Sequence, residues 1–350
     1  MRTAFSTLGD ILNHGFDTVI DARSPAEFAE DHIPGAINLP SLSNDERARV
    51  GTIYTQENPF KARKIGAALV ARNVASYLDG PLKDMDGGWR PLVYCWRGGQ
   101  RSGSFASILT QIGWRAEVVE GGYQSYRNLV YGALYEGALP HRLILLDGNT
   151  GTAKTDILHR LRSLDVQVLD LEGLANHRGS LLGGMVGGQP AQKGFETALA
   201  CALAQLDPTR PVIVEAESSK VGARIVPPSL WAAMKDAPRI EIEAPLDARA
   251  QYLADAYADV SANSEALAGK LEFLRRHRGR LVDDWKELLD TGAFEDLARA
   301  LIVEHYDPTY RSGRSRNGAE VLQRFETAAL DEPARAQLTE QIAAWVKGVS

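Results

Sequence analysis

Short apolar runs alternate along this chain with stretches of helical periodicity, and glycine or proline marks the joints. Residues 18–21 (Thr-Val-Ile-Asp) predict a buried strand ending at Asp21-Ala22-Arg23-Ser24-Pro25. Ser24 there serves as N-cap and Pro25 as the first position of a helix through Phe28. Further strands are expected over 36–39, after the Pro34-Gly35 turn, and over 91–94, which runs straight into Cys95. A helix over about 102–112, a strand over 117–119 and a Gly121-Gly122 turn follow.

The pattern then restarts. Residues 141–146 predict a strongly apolar strand, a glycine-bearing loop comes next, and 154–164 continue as a helix. Strands are expected over 166–169, 211–215 and 239–243, with an alanine-rich helix over 192–206 among them. From about Leu246 onward the chain reads as helical and charged, with no strand. Strands alternating with helices at these lengths predict an α/β fold with parallel sheets. The predicted organisation is a parallel-sheet domain over 1–135, a second α/β domain over 136–250 and a helical C-terminal region over 251–350, with Gly137 and Pro140 at the first joint. Residues 173–188 hold six glycines and predict a mobile loop over a site.

Composition narrows the setting. A length of 350 residues with 44% hydrophobic and 24% charged side chains suits two soluble domains. No apolar run reaches the roughly 18 residues of a membrane span, so no membrane partner is expected. Met1-Arg2-Thr3-Ala4-Phe5 lacks an apolar signal core, which predicts a cytoplasmic protein. Cys95 and Cys201 are the only cysteines, which argues against a disulfide framework; Cys201 reads as core filler. At a net charge of −6, any nucleic acid must meet a local basic patch.

The candidate chemistry sits in two strand-to-helix loops. Tyr94-Cys95-Trp96-Arg97-Gly98-Gly99-Gln100-Arg101-Ser102 presents Cys95 as a nucleophile, with loop N–H groups, the positive helix end and the charges of Arg97 and Arg101 favouring the thiolate. The competing reading is a buried structural cysteine at a strand end. Arg101 follows Cys95 by six residues, a C-x5-R spacing shared with phosphatases.

The second loop, Gly148-Asn149-Thr150-Gly151-Thr152-Ala153-Lys154-Thr155, follows the phosphate-loop pattern G-x-x-x-x-G-K-[ST] with Ala153 in place of the second glycine. Its amides and Lys154 suit a phosphate, and the Thr155 hydroxyl suits Mg²⁺. The alanine methyl is expected to be tolerated only if that residue keeps φ below zero. Glu215 and Glu217, at the end of a strand, are candidate partners for Mg²⁺; the competing reading is a solvated strand end.

Asp170, Glu172, Asn176, His177 and Arg178 follow a strand beside the glycine-rich stretch. They are candidates to line a substrate site, with Arg178 toward a phosphate and His177 as acid–base; the plainer reading is a capped turn. Lys270 and Arg275, Arg276, Arg278 and Arg280 around His277 form a candidate RNA patch, and Arg311, Arg314 and Arg316 a second. Trp96 is a candidate to stack on an RNA base.

Residues 5–132 resemble a rhodanese domain. Asp-Ala-Arg-Ser-Pro-Ala-Glu-Phe at 21–28 and His-Ile-Pro-Gly-Ala-Ile-Asn-Leu-Pro at 32–40 match its framework motifs, and Cys95 falls on its persulfide-carrying cysteine. The resemblance makes Asp21, Arg23 and Glu27 scaffold and has His32 pack the turn. A rhodanese-like half followed by a P-loop NTPase-like half is an uncommon order. Added to it are Asp-Leu-Glu-Gly-Leu-Ala-Asn-His-Arg-Gly-Ser at 170–180, Gln-Pro-Ala-Gln-Lys-Gly-Phe-Glu at 189–196 and His-Tyr-Asp-Pro-Thr-Tyr at 305–310. With these, nearly the whole chain resembles the tRNA 2-selenouridine synthase family.

That resemblance implies a transferase that replaces sulfur by selenium in the wobble (position 34) 2-thiouridine of tRNA. Selenophosphate would donate the selenium, and an S-geranyl intermediate would form from geranyl diphosphate. It implies selenium carriage at Cys95, tRNA carrying 2-thiouridine as partner, a selenophosphate-supplying enzyme as a further partner, and no tightly bound cofactor beyond Mg²⁺. Placing geranyl diphosphate on residues 148–155 follows from the suitability of that loop for a diphosphate. Two other classes stay open: a P-loop kinase or C-x5-R phosphatase, and a non-enzymatic thiol redox sensor.

Overall fold

The computed structural model describes residues 1–179, 183–256, 264–309 and 320–349. The chain divides into two compact units: residues 1–137 with 190–204, and residues 138–189 with 205–350.

In the first unit, β1 (Arg2–Thr3), β2 (Thr18–Asp21), β3 (Ile37–Asn38), β4 (Pro91–Tyr94) and β5 (Glu117–Val119) form a parallel sheet in the order β1-β5-β4-β2-β3. Its central strands are apolar runs because helices cover both faces. Ile20 and Val93 pack with Val70, Val74, Phe105 and Leu109. Those side chains come from two helices, α4 (Pro59–Leu78) and α5 (Gln100–Ile112), whose first turns follow Asn58 and Gly99. Helix α1 (Leu8–Leu12), α2 (Pro25–Glu30) and α3 (Asn44–Thr52) precede them, and α6 (Gly122–Tyr135) closes the unit's main run. Ser24 caps α2 through a reciprocal box with Glu27, with Pro25 in the first turn, as the sequence predicts. The hairpin of α3, a π-helical turn (Ile53–Glu57) and α4 is inserted between β3 and β4.

Asp21 and Arg23 form a fully buried ion pair at 2.7 Å, and Arg23 also donates to the Asp31 carbonyl at 2.6 Å and lies over the Tyr123 ring. Removing one partner strands the other charge in the interior, a loss of about 3–5 kcal/mol, so both residues are scaffold. His32 stacks on Phe28 with centroids 3.8 Å apart and meets the Phe28 carbonyl at 2.9 Å, packing the turn.

In the second unit, β6 (Leu143–Gly148), β7 (Gln167–Leu169), β8 (Val212–Glu215), β11 (Arg239–Glu243) and β12 (Val321–Glu326) form a parallel sheet in the order β12-β11-β6-β8-β7. A two-strand hairpin, β9 (Lys220–Val221) with β10 (Arg224–Ile225), stands apart from it. Helix α7 (Lys154–Ser163) follows β6, and α8 (Leu171–Leu174) follows β7. Helix α9 (Gln192–Ala204) lies between β7 and β8 in sequence but clusters with the first unit, where Thr197 donates to Asp31 at 3.0 Å and Glu196 accepts from Tyr135 at 2.7 Å. Then come α10 (Pro228–Asp236) and α11 (Leu246–Ala256).

The expectation of no strand after Leu246 is corrected by β12, which pairs in parallel with β11 along the sheet edge. Its period-2 pattern is hard to see because Phe325 is its one buried side chain, while Arg324 reaches Glu241 at 2.9 Å and Glu243 at 3.3 Å. The final helix, Glu332–Gly348, buries Leu338, Ile342 and Val346 in the core shared with Ile157 and Leu161 of α7. Strand β12 and the final helix therefore share the second unit's sheet core. A further apolar cluster, with Leu271, Trp285, Leu289 and Leu301, joins the helices between Ser264 and Leu301.

Candidate active site

In parallel α/β sheets the carboxyl ends of the strands carry the site, and both predicted loops lie there. Cys95 follows the last residue of β4 and is 3% exposed. Its carbonyl accepts from the Tyr123 N–H at 2.8 Å, and that of Trp96 from the Gln124 N–H at 3.0 Å, so the Gly121-Gly122 turn clasps the cysteine loop from behind. A Cβ on Gly122 would fall 2.3 Å from the Cys95 carbonyl and 2.4 Å from the Gly98 nitrogen, and Gly98 itself holds φ +61° against the Val119 carbonyl. Glycine is dictated at both positions by this close approach.

The charges expected at the sulfur are directed elsewhere. Arg101 pairs with Glu27 at 2.8 Å, and Arg97 donates to Gln124 Oε1 at 2.8 Å. Burial pushes the Glu27 carboxyl up, but the Arg101 hydrogen bond and charge, with the Ser24 N–H and O–H, hold it down to about 2. The sulfur accepts a hydrogen bond from Ser102 Oγ at 3.1 Å, a residue read from sequence only as the helix start. The signal was its place in the first turn of α5, seven residues after Cys95, where a short hydroxyl points back toward the loop. Trp96 leans on Tyr123, ring centroids 5.4 Å apart.

The phosphate loop joins β6 to α7. Thr155 Oγ1 donates to Glu172 Oε2 at 2.7 Å, and Lys154 Nζ to the Gly148 carbonyl at 2.7 Å. Arg249, on α11, donates to the Thr150 carbonyl at 2.9 Å and pairs with Asp307 at 2.6 Å, which fixes the outer edge of the loop. Ala153 adopts φ +59°, ψ +26° and is buried. The condition that φ stay below zero is therefore not met: the alanine takes the left-handed conformation that glycine would take, at a cost of about 1–2 kcal/mol. The strand-to-helix connection forces it there.

Three carboxylates approach the loop. Glu215, at the end of β8, is 1% exposed; Oε2 accepts from the Leu171 N–H at 2.9 Å, while Oε1 has no hydrogen-bond partner among the described residues. Burial, then the negative charges of Asp170 and Glu172, push its carboxyl well up. Glu217 is raised to about 8 by burial, then by the charge of Glu172 and a hydrogen bond with it. A Cβ on Gly179 would meet Oε1 of Glu172 at 2.4 Å and of Glu217 at 2.5 Å, so these two acids face the same backbone.

A cavity of about 340 Å³ opens over this loop, lined by residues 150–156 with Glu172, His177, Arg178 and Glu217 on the polar side. Met185, Tyr252, Leu253 and Ala256 are apolar lining residues that the sequence reading missed. Helical spacing on α11 was the available signal, since Tyr252, Leu253 and Ala256 recur along one face. Of the substrate-loop candidates, Asp170 is a helix cap, accepting from the Gly173 N–H at 2.7 Å and meeting His159 Nε2 at 2.7 Å. Asn176 pins the glycine-rich segment through the Val186 and Gly188 carbonyls at 2.9 and 2.8 Å. His177 keeps a buried Nδ1 without a hydrogen-bond partner among the described residues, and burial lowers its pKa, which leaves the ring neutral at pH 7.

Two arginines of the candidate RNA patch are engaged within the protein. Arg275 pairs with Glu272 and Asp283 at 2.5 and 2.7 Å, and Arg278 donates to His305 Nδ1 at 3.2 Å. Arg276 and Arg280 are exposed and, among the described residues, make no side-chain ion pair; Phe273 stands beside them at 75% exposure. Arg311, Arg314 and Arg316 lie outside the described residues. Among the described residues no helix is long and apolar enough to cross a membrane, and no group of three or more His, Cys, Asp or Glu is arranged to hold a metal by protein ligands alone.

A family model described as the tRNA 2-selenouridine synthase AAA domain matches residues 141–289, and one described as the rhodanese-like domain matches residues 5–129. Curated relatives bear the name tRNA 2-selenouridine synthase. The protein of Nitrosomonas europaea is 36% identical over 68% of this chain and 63% of its own length. That of Chromohalobacter salexigens is 32% identical over 87% of this chain and 90% of its own, and that of Hahella chejuensis 30% over 89% of each.

Proposed function

The chain belongs to the tRNA 2-selenouridine synthase family, and from that premise we propose that it replaces sulfur by selenium in the wobble (position 34) 2-thiouridine of tRNA in two steps, each served by one loop. In the first, geranyl diphosphate alkylates the sulfur and releases diphosphate. In the second, selenium from selenophosphate displaces the alkylated sulfur at C2.

One observation carries the assignment of the first step to the second unit: the cavity over its phosphate loop is lined both by that loop's polar groups and by apolar side chains. The loop amides over 150–155 and Lys154 suit a diphosphate, and Met185, Tyr252, Leu253 and Ala256 suit a hydrocarbon chain. Crowded acids and a threonine hydroxyl are hard oxygen donors, which fits Mg²⁺ with water and diphosphate completing its shell. Thr155, Glu172 and Glu217 would hold it, and the ion would offset the charge of the departing diphosphate. Glu215, tied to the Leu171 N–H in the interior, orients α8 and through it Glu172.

Alkylation turns the C2 sulfur into a thiol that departs readily. Cys95 would assist delivery of selenium from selenophosphate to C2, with Ser102 holding its sulfur in position and the Gly98–Gly99 loop turning its amides toward the oxyanion of the donor. Arg276, Arg280 and Phe273 offer phosphate contact and stacking to tRNA.

Mass analysis of nucleosides from 2-thiouridine tRNA, treated first with geranyl diphosphate and then with selenophosphate, tests the sequence. The expected products are S-geranyl-2-thiouridine and then 2-selenouridine. Selenouridine formed at full rate without geranyl diphosphate would overturn the two-step order.

A further inference from the structure

We propose that a second cavity, in the first unit, is a slot for the alkyl chain of the S-alkylated nucleotide while selenium replaces its sulfur. The proposal rests on the reading above that geranylation precedes selenation. The cavity measures about 310 Å³ and lies between the α3–α4 hairpin and the first turns of α5. Leu42, Val50, Ala62 and Val70 give it an apolar wall, with Ala67 and Tyr54 exposed at the mouth. This volume is at the low end for small-molecule sites, roughly 300–1,000 Å³, and suits a chain rather than a whole nucleotide.

Its position is the informative part. Gln100, Arg101 and Ser104 line it, and Ser102, on the same turn of α5, donates to the Cys95 sulfur at 3.1 Å. The slot therefore shares the first turns of α5 with the residue that holds the Cys95 sulfur. Tyr54 sits in the π-helical turn Ile53–Glu57, a backbone form that concentrates at functional sites. Around the mouth, residues 44–78 carry six basic against three acidic side chains, and Arg63 lines the cavity, which suits a chain borne on a polyanion.

The chemistry calls for such a slot. As selenium forms its bond to C2, the C2–S bond breaks and its electron pair stays on sulfur. The sulfur takes a proton from water and leaves as geranyl thiol, and hydrolysis of the Se–P bond releases phosphate. Holding the chain aligns the C2–S bond and draws the thiol away. Each buried methylene strengthens binding about fourfold, so a filled slot discriminates strongly by chain length.

The test uses the full chain with selenophosphate and two synthetic tRNAs, one carrying S-geranyl-2-thiouridine and the other S-methyl-2-thiouridine. Ala67→Phe projects a ring into the slot from an exposed position, and Ala67→Leu fills it less. The expected result is that the ratio of kcat/KM for the geranyl over the methyl substrate falls about tenfold or more in the Phe variant and by less in the Leu variant. A ratio equal to wild type in both variants, with cooperative melting intact, overturns the slot and leaves the two-step reaction standing. Wild-type protein that selenates neither alkylated tRNA, yet converts 2-thiouridine directly, overturns the two-step reaction itself.

Discussion

The two loops are built on the same plan, a buried parallel strand turning through glycines into a helix, yet they settle their charges in opposite ways. At the cysteine loop every arginine has a partner: Arg101 on Glu27, Arg97 on Gln124, Arg23 on Asp21. Glycine stands wherever the backbone crowds, at 98 and 122. At the phosphate loop three acids crowd one another, two of them with raised pKa, and an alanine holds a left-handed φ. The first loop holds each of these arginines on a fixed partner around one reactive atom. The second stores unfavourable electrostatics and backbone strain, which on the proposed reading a cation and a phosphate group would relieve on binding. Covalent chemistry needs a fixed nucleophile, whereas binding energy comes from charges that gain partners.

The sharpest way to break this contrast is to remove the nucleophile. Cys95→Ser should lower selenium incorporation by roughly 10³-fold or more while S-geranyl tRNA accumulates, as read by nucleoside mass analysis. Selenation at the wild-type rate in that variant would leave Cys95 without a covalent role. The next effect belongs to the other loop. Lys154→Ala should cut kcat/KM for geranyl diphosphate by roughly 10²-fold, because one preorganised cation facing the developing diphosphate charge is lost. Selenation of pre-geranylated tRNA measures whether the two loops are separable; a parallel fall in that rate would sink the division of labour.

Much of this was legible in the sequence, and the failures share a cause. Strands buried on both faces, such as Pro91–Tyr94 and Val212–Glu215, announced themselves as apolar or β-branched runs between turn residues. The edge strand Val321–Glu326 did not, because its polar side chains form ion pairs with a neighbouring strand and only Phe325 is buried. The same limit applies to the site. Cys95, Lys154 and Thr155 were legible as candidates because motifs held by the backbone are contiguous. Which charge each arginine meets was not, since Glu27 and Arg101 lie 74 positions apart. Glu172 was read as a substrate-loop residue, whereas its bond to Thr155 sets it beside the phosphate loop.

A smaller effect tests the stored electrostatics. Burial, followed by the charge of Glu172, raises Glu217 to about 8 from an ordinary value of 4.5. Between those values the folded protein holds a proton that the unfolded chain has released, so stability falls as pH rises through the window, and the full penalty applies above about pH 8. Glu217→Gln imitates the protonated form. It should leave stability unchanged near pH 4.5 and raise it by about 1–2 kcal/mol near pH 9, a figure reduced for partial exposure. Thermal melts at the two pH values decide it. Equal stabilisation at both would mean that packing, and not charge crowding, sets the difference.

The smallest effect isolates the strain at Ala153. A methyl group at φ +59° clashes with its own carbonyl, and glycine removes that clash at the price of a floppier unfolded chain. The balance favours Ala153→Gly by about 0.5–1 kcal/mol, visible as a rise in Tm. The side chain is buried, so the substitution also deletes a methyl from the core that contains Ile157 and Leu158. Ala153→Ser separates the two contributions, because it keeps both the Cβ and the strain. A Tm that rises for glycine and not for serine assigns the gain to the backbone. A fall in both variants would show that the methyl's packing outweighs its conformational cost, and the phosphate loop would then be no more strained than the cysteine loop.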